Sequence, residues 1–196
     1  MSVGGDARLG QLAWENLTVS AETKVLDRCC GSGQTKPFMV QYSQDVTGLD
    51  ASPLSLQGAR KNVPSANYYL EAFAESMPFP DCQFDTSTQQ RCDARSATGA
   101  IATIFQEVYR AVKSGGLFIL VDFHRHTNPV FLPGLAVFLW LFETETELGS
   151  LLAEVGWRSY NSEEAQQPKI YAGGSIQVIQ VQKSVDSCQL TVDSCH

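Results

Sequence analysis

The chain has 196 residues, 43% of them hydrophobic and 18% charged, which excludes a disordered tail or a charge-rich arm and suits one domain with its own core. The formal net charge is −7 and the 14 Lys plus Arg are scattered, which argues against nucleic-acid binding, a role that needs a basic face. No apolar run reaches the roughly 20 residues of a membrane span, and the first ten residues lack the apolar stretch of a signal peptide.

The six cysteines show neither CxxC spacing nor His partners at zinc-site distances, so neither a disulfide framework nor a metal site is expected. Reduced thiols in a cytoplasmic protein are the matching expectation.

Residues 1–23 form an N-terminal segment. Strand-like and helix-like stretches then alternate over 24–183. Strands are predicted at 24–27, 45–49, 68–73, 116–123 and 176–181, and helices at 34–42, 53–61, 104–112 and 147–155. Such alternation implies a mostly parallel, doubly wound α/β sheet covered on both faces. In the tail, 184–196, Val-Asp-Ser-Cys at 185–188 returns at 192–195; with little apolar surface to pack, it is expected to be disordered.

The alternation calls for a fourth strand just after Phe84 and Asp85. A central parallel strand is buried on both faces and favours Val, Ile and Leu. Here no large apolar side chain appears between Phe84 and Ile101. Each one missing forfeits about 1.5–3 kcal/mol of burial. An exposed loop, with the strand elsewhere, is one reading of residues 86–103. An altered reading frame is the other. Codons exist for Cys92 to Thr103 that, shifted by one base, read Ala-Met-His-Glu-Val-Gln-Pro-Glu-Gln-Leu-Arg, a loop and helix start that would lead into Ile104.

The strongest chemical signal is Val25-Leu26-Asp27-Arg28-Cys29-Cys30-Gly31-Ser32-Gly33, a strand entering a Gly-rich turn ahead of a helix. Glycines there let a ligand touch bare backbone. A second strand ends at Asp50, 19 residues after Gly31, where a carboxylate can accept hydrogen bonds from ribose hydroxyls. A tight turn with a capping acid is the simpler alternative. A nicotinamide-dinucleotide site fits poorly, because Lys36 stands where its fingerprint wants a third Gly or Ala.

Two further stretches follow in order: Ala72-Phe73-Ala74-Glu75-Ser76-Met77-Pro78-Phe79-Pro80-Asp81, then Glu107-Val108-Tyr109-Arg110-Ala111-Val112-Lys113-Ser114-Gly115-Gly116 before the most apolar strand. With the Gly-rich turn, this combination resembles the class I S-adenosylmethionine-dependent methyltransferases, and more narrowly the branch of ubiquinone/menaquinone-biosynthesis methyltransferases. The resemblance covers about 24–183 and implies a Rossmann-like, seven-stranded sheet whose last strand is antiparallel. It implies methyl transfer from S-adenosylmethionine to a small acceptor. Asp27, Gly31 and Gly33 would shape the site for the methionine part, Asp50 would bind the ribose with Ala51 beside the adenine, and Ala74 and Glu75 would line the adenine edge. Gly115 and Gly116 would make a structural turn.

The chain also departs from that pattern. Cys29-Cys30 replaces the commoner Gly-Cys and is read as packing, Phe73 stands where many relatives carry an acid, and Ser114 replaces a common Pro. With only 23 residues ahead of Lys24, a cap over the cofactor is expected to be short or missing. No catalytic triad is required, since in-line methyl transfer gains most from alignment in a site screened from water. His124 and His126, just after the apolar strand, are candidates to orient an acceptor or take its proton; exposed loop histidines are the simpler reading. Eleven of the 13 residues from Val130 to Phe142 are apolar, and acids rather than Lys or Arg follow them, which favours a pocket wall for a lipophilic acceptor over membrane docking. The off-pattern segment 86–103 motivates the alternative function, a cofactor-binding pseudoenzyme or the inactive product of an altered gene.

Overall fold

A computed structural model describes residues 13–14, 17–33, 36–64, 68–90, 98–123, 148–160, 169–171 and 176–185. The strands are β1 (Lys24–Arg28), β2 (Asp45–Asp50), β3 (Tyr68–Glu71), β4 (Phe84–Gln90), β5 (Val112–Phe123), β6 (Trp157–Ser159), β7 (Lys169–Tyr171) and β8 (Ile176–Lys183). The helices are α1 (Lys36–Tyr42), α2 (Pro53–Asn62), α3 (Thr98–Ala111) and α4 (Leu148–Val155). The sheet runs β3-β2-β1-β4-β5-β8-β6, with short β7 also pairing with β8. β8 is antiparallel to β5, whereas the pairs from β3 to β5 are all parallel. This is the expected Rossmann-like methyltransferase topology. The two shortest strands, β6 and β7, were not legible in the sequence, because three residues carry too little alternation to read.

Local chemistry explains the joints. Ser52 caps α2 by accepting the Ser55 N–H at 3.3 Å, Pro53 presets its first turn, and Arg60 and Lys61 sit in the last turn, where cations suit the helix dipole. Gly115 has φ +75°, and a side chain on Gly116 would meet the Asp85 carbonyl at 2.8 Å, so both glycines serve the register shift where β5 joins β4. Arg110 donates to Glu107, Asp81 and the carbonyls of Met77 and Phe79, while Glu107 accepts the Met77 N–H at 2.9 Å. Motif residues from two separate stretches thus form a structural clamp.

One sheet face buries Leu26, Leu49, Phe84, Phe118 and Leu120 against α3 and α4. The other buries Val25, Val46, Ile119 and Val121 with Met39 of α1 and with Ala13 and Trp14. The N-terminal segment therefore adds to the packing of the sheet; the Ala13 carbonyl accepts the Gln180 amide N–H at 3.1 Å.

The exposed-loop reading fails for the start of 86–103. Residues 86–90 belong to β4, paired with both β1 and β5, and Thr86, Ser87, Thr88 and Gln89 are all buried. Backbone ladders on both sides outweigh the small apolar contribution of these buried side chains. Residues 91–97 and most of the tail lie outside the described residues. The expectation of reduced thiols also needs correction: Cys29 and Cys82 are in disulfide bonds, and Cys30 is a buried free thiol. Cys29 follows the carboxyl end of β1 and Cys82 precedes the amino end of β4; these neighbouring strands are parallel, so the two cysteines lie at opposite strand ends and do not pair with each other.

Candidate functional site: the crevice at the carboxyl ends of β1 and β2

β1 leads straight into the turn at 29–33. Gly31 has φ +52°, and a side chain there would meet nothing within 4 Å, so bare backbone faces open space. Gly33 has φ +80° and fits closely against Ala59 of α2, with an added Cβ at 3.3 Å. Cys29 itself has φ +50°, a conformation that favours glycine and matches the commoner residue of the family pattern.

Asp50 ends β2 and faces this turn. Its Oδ2 accepts the Gly31 N–H and its Oδ1 the Ser52 N–H, both at 2.9 Å. A carboxylate offers about four acceptor positions, so each oxygen keeps capacity for a further donor. Ala51, exposed, follows at the crevice lip. The Ala72 N–H donates to the Asp50 carbonyl at 3.2 Å, which brings the loop after β3 alongside, with Ala74 buried and Glu75 half-buried. Phe73 is 69% exposed there.

Asp27 lies beneath the turn, fully buried. Its Oδ1 accepts the Thr88 hydroxyl at 3.3 Å, and its Oδ2 has no partner among the described residues. Burial pushes its carboxyl up to about 7, against the opposing pull of Lys36. An orphaned buried acceptor beside bare backbone and a second carboxylate suits a ligand with an ammonium group and a ribose, so the residues present fit S-adenosylmethionine.

The crevice thus assembles Asp27, Gly31, Gly33, Asp50 and Ala51, with Ala74 and Glu75 on its flank. His124, His126 and residues 130–142 lie outside the described residues. Cys29 is no free thiol. Two charged residues were missed as site neighbours. Arg28 is fully buried on the opposite face from Asp27, over the Phe118 ring and bonded to Gln89; its Nε and Nη1 have no partner among the described residues, and burial lowers its guanidinium to about 9. Lys36, also buried, drew notice only as a misfit to the dinucleotide fingerprint. Its signal in the sequence was Gly48, a glycine interrupting an otherwise regular strand.

Comparison with known proteins gives the family and the fold. Residues 25–116 match a family model described as a methyltransferase domain. An uncharacterized methyltransferase of Synechocystis sp. is 42% identical over 187 residues, covering 92% of this chain and 85% of the relative. The chain belongs to the methyltransferase family and is an enzyme of that class. More narrowly, it is similar to the chloroplastic 2-phytyl-1,4-beta-naphthoquinone methyltransferase of Arabidopsis thaliana, 30% identical over 60% of this chain and half of that relative. The fold is that of S-adenosylmethionine-dependent methyltransferases: the crystal structure of one from Mesorhizobium loti superposes with a TM-score of 0.69 at 16% identity, covering 92% of this chain and 99% of that one. Among the described residues no helix is long and apolar enough to cross a membrane.

Proposed function

We propose that the chain binds S-adenosylmethionine in the crevice above β1 and β2 and transfers its methyl group to a small, lipophilic acceptor. The observation that carries the reading is Asp50: its carboxylate stands at the lip of the glycine turn, held by two backbone N–H groups and able to accept more. The methionine end would lie over Gly31 toward Asp27, the ribose on Asp50, and the adenine between Ala51 and the Ala74–Glu75 loop. When bound, the cofactor supplies an electrophilic methyl on sulfur. The protein's part is to hold it in line and dry. An acceptor related to naphthoquinones is supported by the naphthoquinone and menaquinone methyltransferases among the relatives.

Calorimetric titration with S-adenosylmethionine and S-adenosylhomocysteine tests the reading. Asp50→Ala is expected to weaken binding by about 1.5–3 kcal/mol, the range for hydrogen bonds to a charged group. Unchanged affinity would remove the ribose role.

A second reading has its own observation. Four consecutive polar residues of β4 are buried in the centre of the sheet, and the Ser87 Oγ has no partner among the described residues. Such a polar stretch is off the pattern for a central strand, and it is the observation that favours a chain that binds cofactor without turnover. The codons of 86–103 and a turnover assay with a labelled methyl donor separate the two readings.

A further inference from the structure

We propose that Lys36 is a positioning residue for the methionine end of the cofactor: its ammonium, seated in the space that Gly48 leaves open, is a built-in counter-charge that favours the ionised form of Asp27 beneath the glycine turn. The inference rests on the cofactor reading above and goes beyond it, because it concerns a residue outside the crevice.

The placement needs a reason. Lys36 stands in the first turn of α1, where a cation opposes the helix dipole, and it is fully buried, where an ammonium is costly unless partnered. The sheet register supplies the reason. Tyr69, Gly48, Asp27 and Thr88 stand side by side on β3, β2, β1 and β4. Adjacent strands are about 4.8 Å apart. The Lys36 Nζ fills the gap in this row: a Cβ on Gly48 would lie 2.2 Å from it. On one side it rests 3.6 Å from the centroid of the Tyr69 ring, with the Tyr68 carbonyl at 3.5 Å. On the other side of Gly48 the next position in the row is Asp27, whose carboxylate feels the charge. Any side chain on Gly48 would force the ammonium to shift from this position, so the glycine and the lysine form one device.

The groups that act on Asp27 come from every element around it. Thr88 of β4 bonds one oxygen, Asp50 of β2 repels, Arg28 of β1 attracts, and Lys36 of α1 attracts most strongly, against the burial that favours the neutral acid. The Cys30 thiol stands close to both Lys36 and Asp27, and burial pushes it up to about 12, so it stays neutral through this range. Without Lys36 the Thr88 hydrogen bond and the more distant Arg28 are what oppose the burial among the described residues. The cofactor's ammonium would then meet a more fully protonated acid near pH 7 than it does with Lys36 in place. The same cation also repels that ammonium, so its net effect depends on pH. Near neutrality Lys36 favours binding, whereas in alkali, where Asp27 ionises unaided, its loss is neutral or favourable.

The test is Lys36→Met in the full chain, with two readouts. The first is the titration of Asp27 in the cofactor-free protein, followed by its infrared carboxyl band and assigned by difference from Asp27→Asn. The second is the affinity for S-adenosylmethionine across the pH range on either side of 7. The Asp27 midpoint is expected to rise by about a unit or more. Affinity near neutrality should fall about tenfold, as a one-unit shift implies, and recover in alkali. Gly48→Ala, which displaces the ammonium and keeps the lysine, should move both readouts the same way and decides the matter if Lys36→Met does not fold. An unmoved midpoint in a folded variant overturns the proposal. A midpoint that moves while the affinity profile does not follow overturns the positioning role and leaves cofactor binding intact. If the unmutated chain has no affinity for S-adenosylmethionine at any pH, the crevice reading fails, and the positioning role falls with it whatever the midpoint does.

Discussion

β4 and β5 lie side by side in the middle of the sheet and are buried alike, yet they are made of different material. β5 contributes Phe118, Ile119, Leu120 and Val121, whereas β4 contributes Thr86, Ser87, Thr88 and Gln89. The ladder between them is continuous from Thr86 to Gln90. Strand formation therefore follows from backbone pairing with two neighbours, while stabilisation follows from the side chains, and the two can part company within one layer. The largest effect should come from the apolar partner. Phe118 packs edge-on to Phe105 and tilted against Trp157, and its ring lies under the Arg28 guanidinium at 5.3 Å. Phe118→Ala should cost about 3–5 kcal/mol in urea unfolding. A loss below about 1 kcal/mol would mean that β5 does not anchor the core, and the contrast would collapse.

β4 also differs between its own faces. Thr88 is put to use, donating to Asp27, whereas Ser87 on the other face is not. Asp27 gives the next largest effect. Its carboxyl rises from an ordinary 3.8 to about 7 in the folded chain, so between these values the native state holds a proton that the unfolded chain has released. The folded state binds more protons there, and stability falls as pH rises from about 4 to about 7, then stays low. The depression of Lys36 acts only between its own lowered value and 10.5, with the opposite sign. The full cost is roughly 4 kcal/mol at one unit per 1.36 kcal/mol. Asp27→Asn should abolish this component. It appears as the difference between the two proteins' unfolding free energies at pH 5 and pH 8, and parallel curves would show that Asp27 is already ionised in acid.

Legibility tracked the same divide. The glycine turn, the acid ending β2 and the apolar β5 were readable because each depends on neighbours in sequence: φ requirements, strand-to-turn punctuation and a buried apolar run. The clamp of Glu107, Arg110 and Asp81 was visible as a motif, though its structural role was not. β4 was placed by alternation and doubted on composition, and both judgements had substance, since the strand forms and its side chains are poorly matched to their surroundings. Lys36 in the gap of Gly48 was not legible, because only the sheet register brings the two together.

The smallest prediction has the opposite sign and bears most directly on the contrast. Ser87 pairs with Leu26 on one side and Phe118 on the other, within the apolar face, and is 0% exposed. Its Oγ has no hydrogen-bond partner among the described residues. An unsatisfied buried hydroxyl costs about 1–3 kcal/mol, and alanine removes it without adding volume. Ser87→Ala should therefore stabilise the chain by about 1 kcal/mol, part of the gain being offset by the small void left behind. Ser87 donates to no described group, so the substitution breaks no bond that the structure shows. Thr88→Val is the matched control on the other face: it takes the donor from Asp27 and should destabilise. If both substitutions shift the urea midpoint in the same direction, the two faces of β4 are equivalent, and the polar strand is tolerated for a reason other than the one contact it makes to the site.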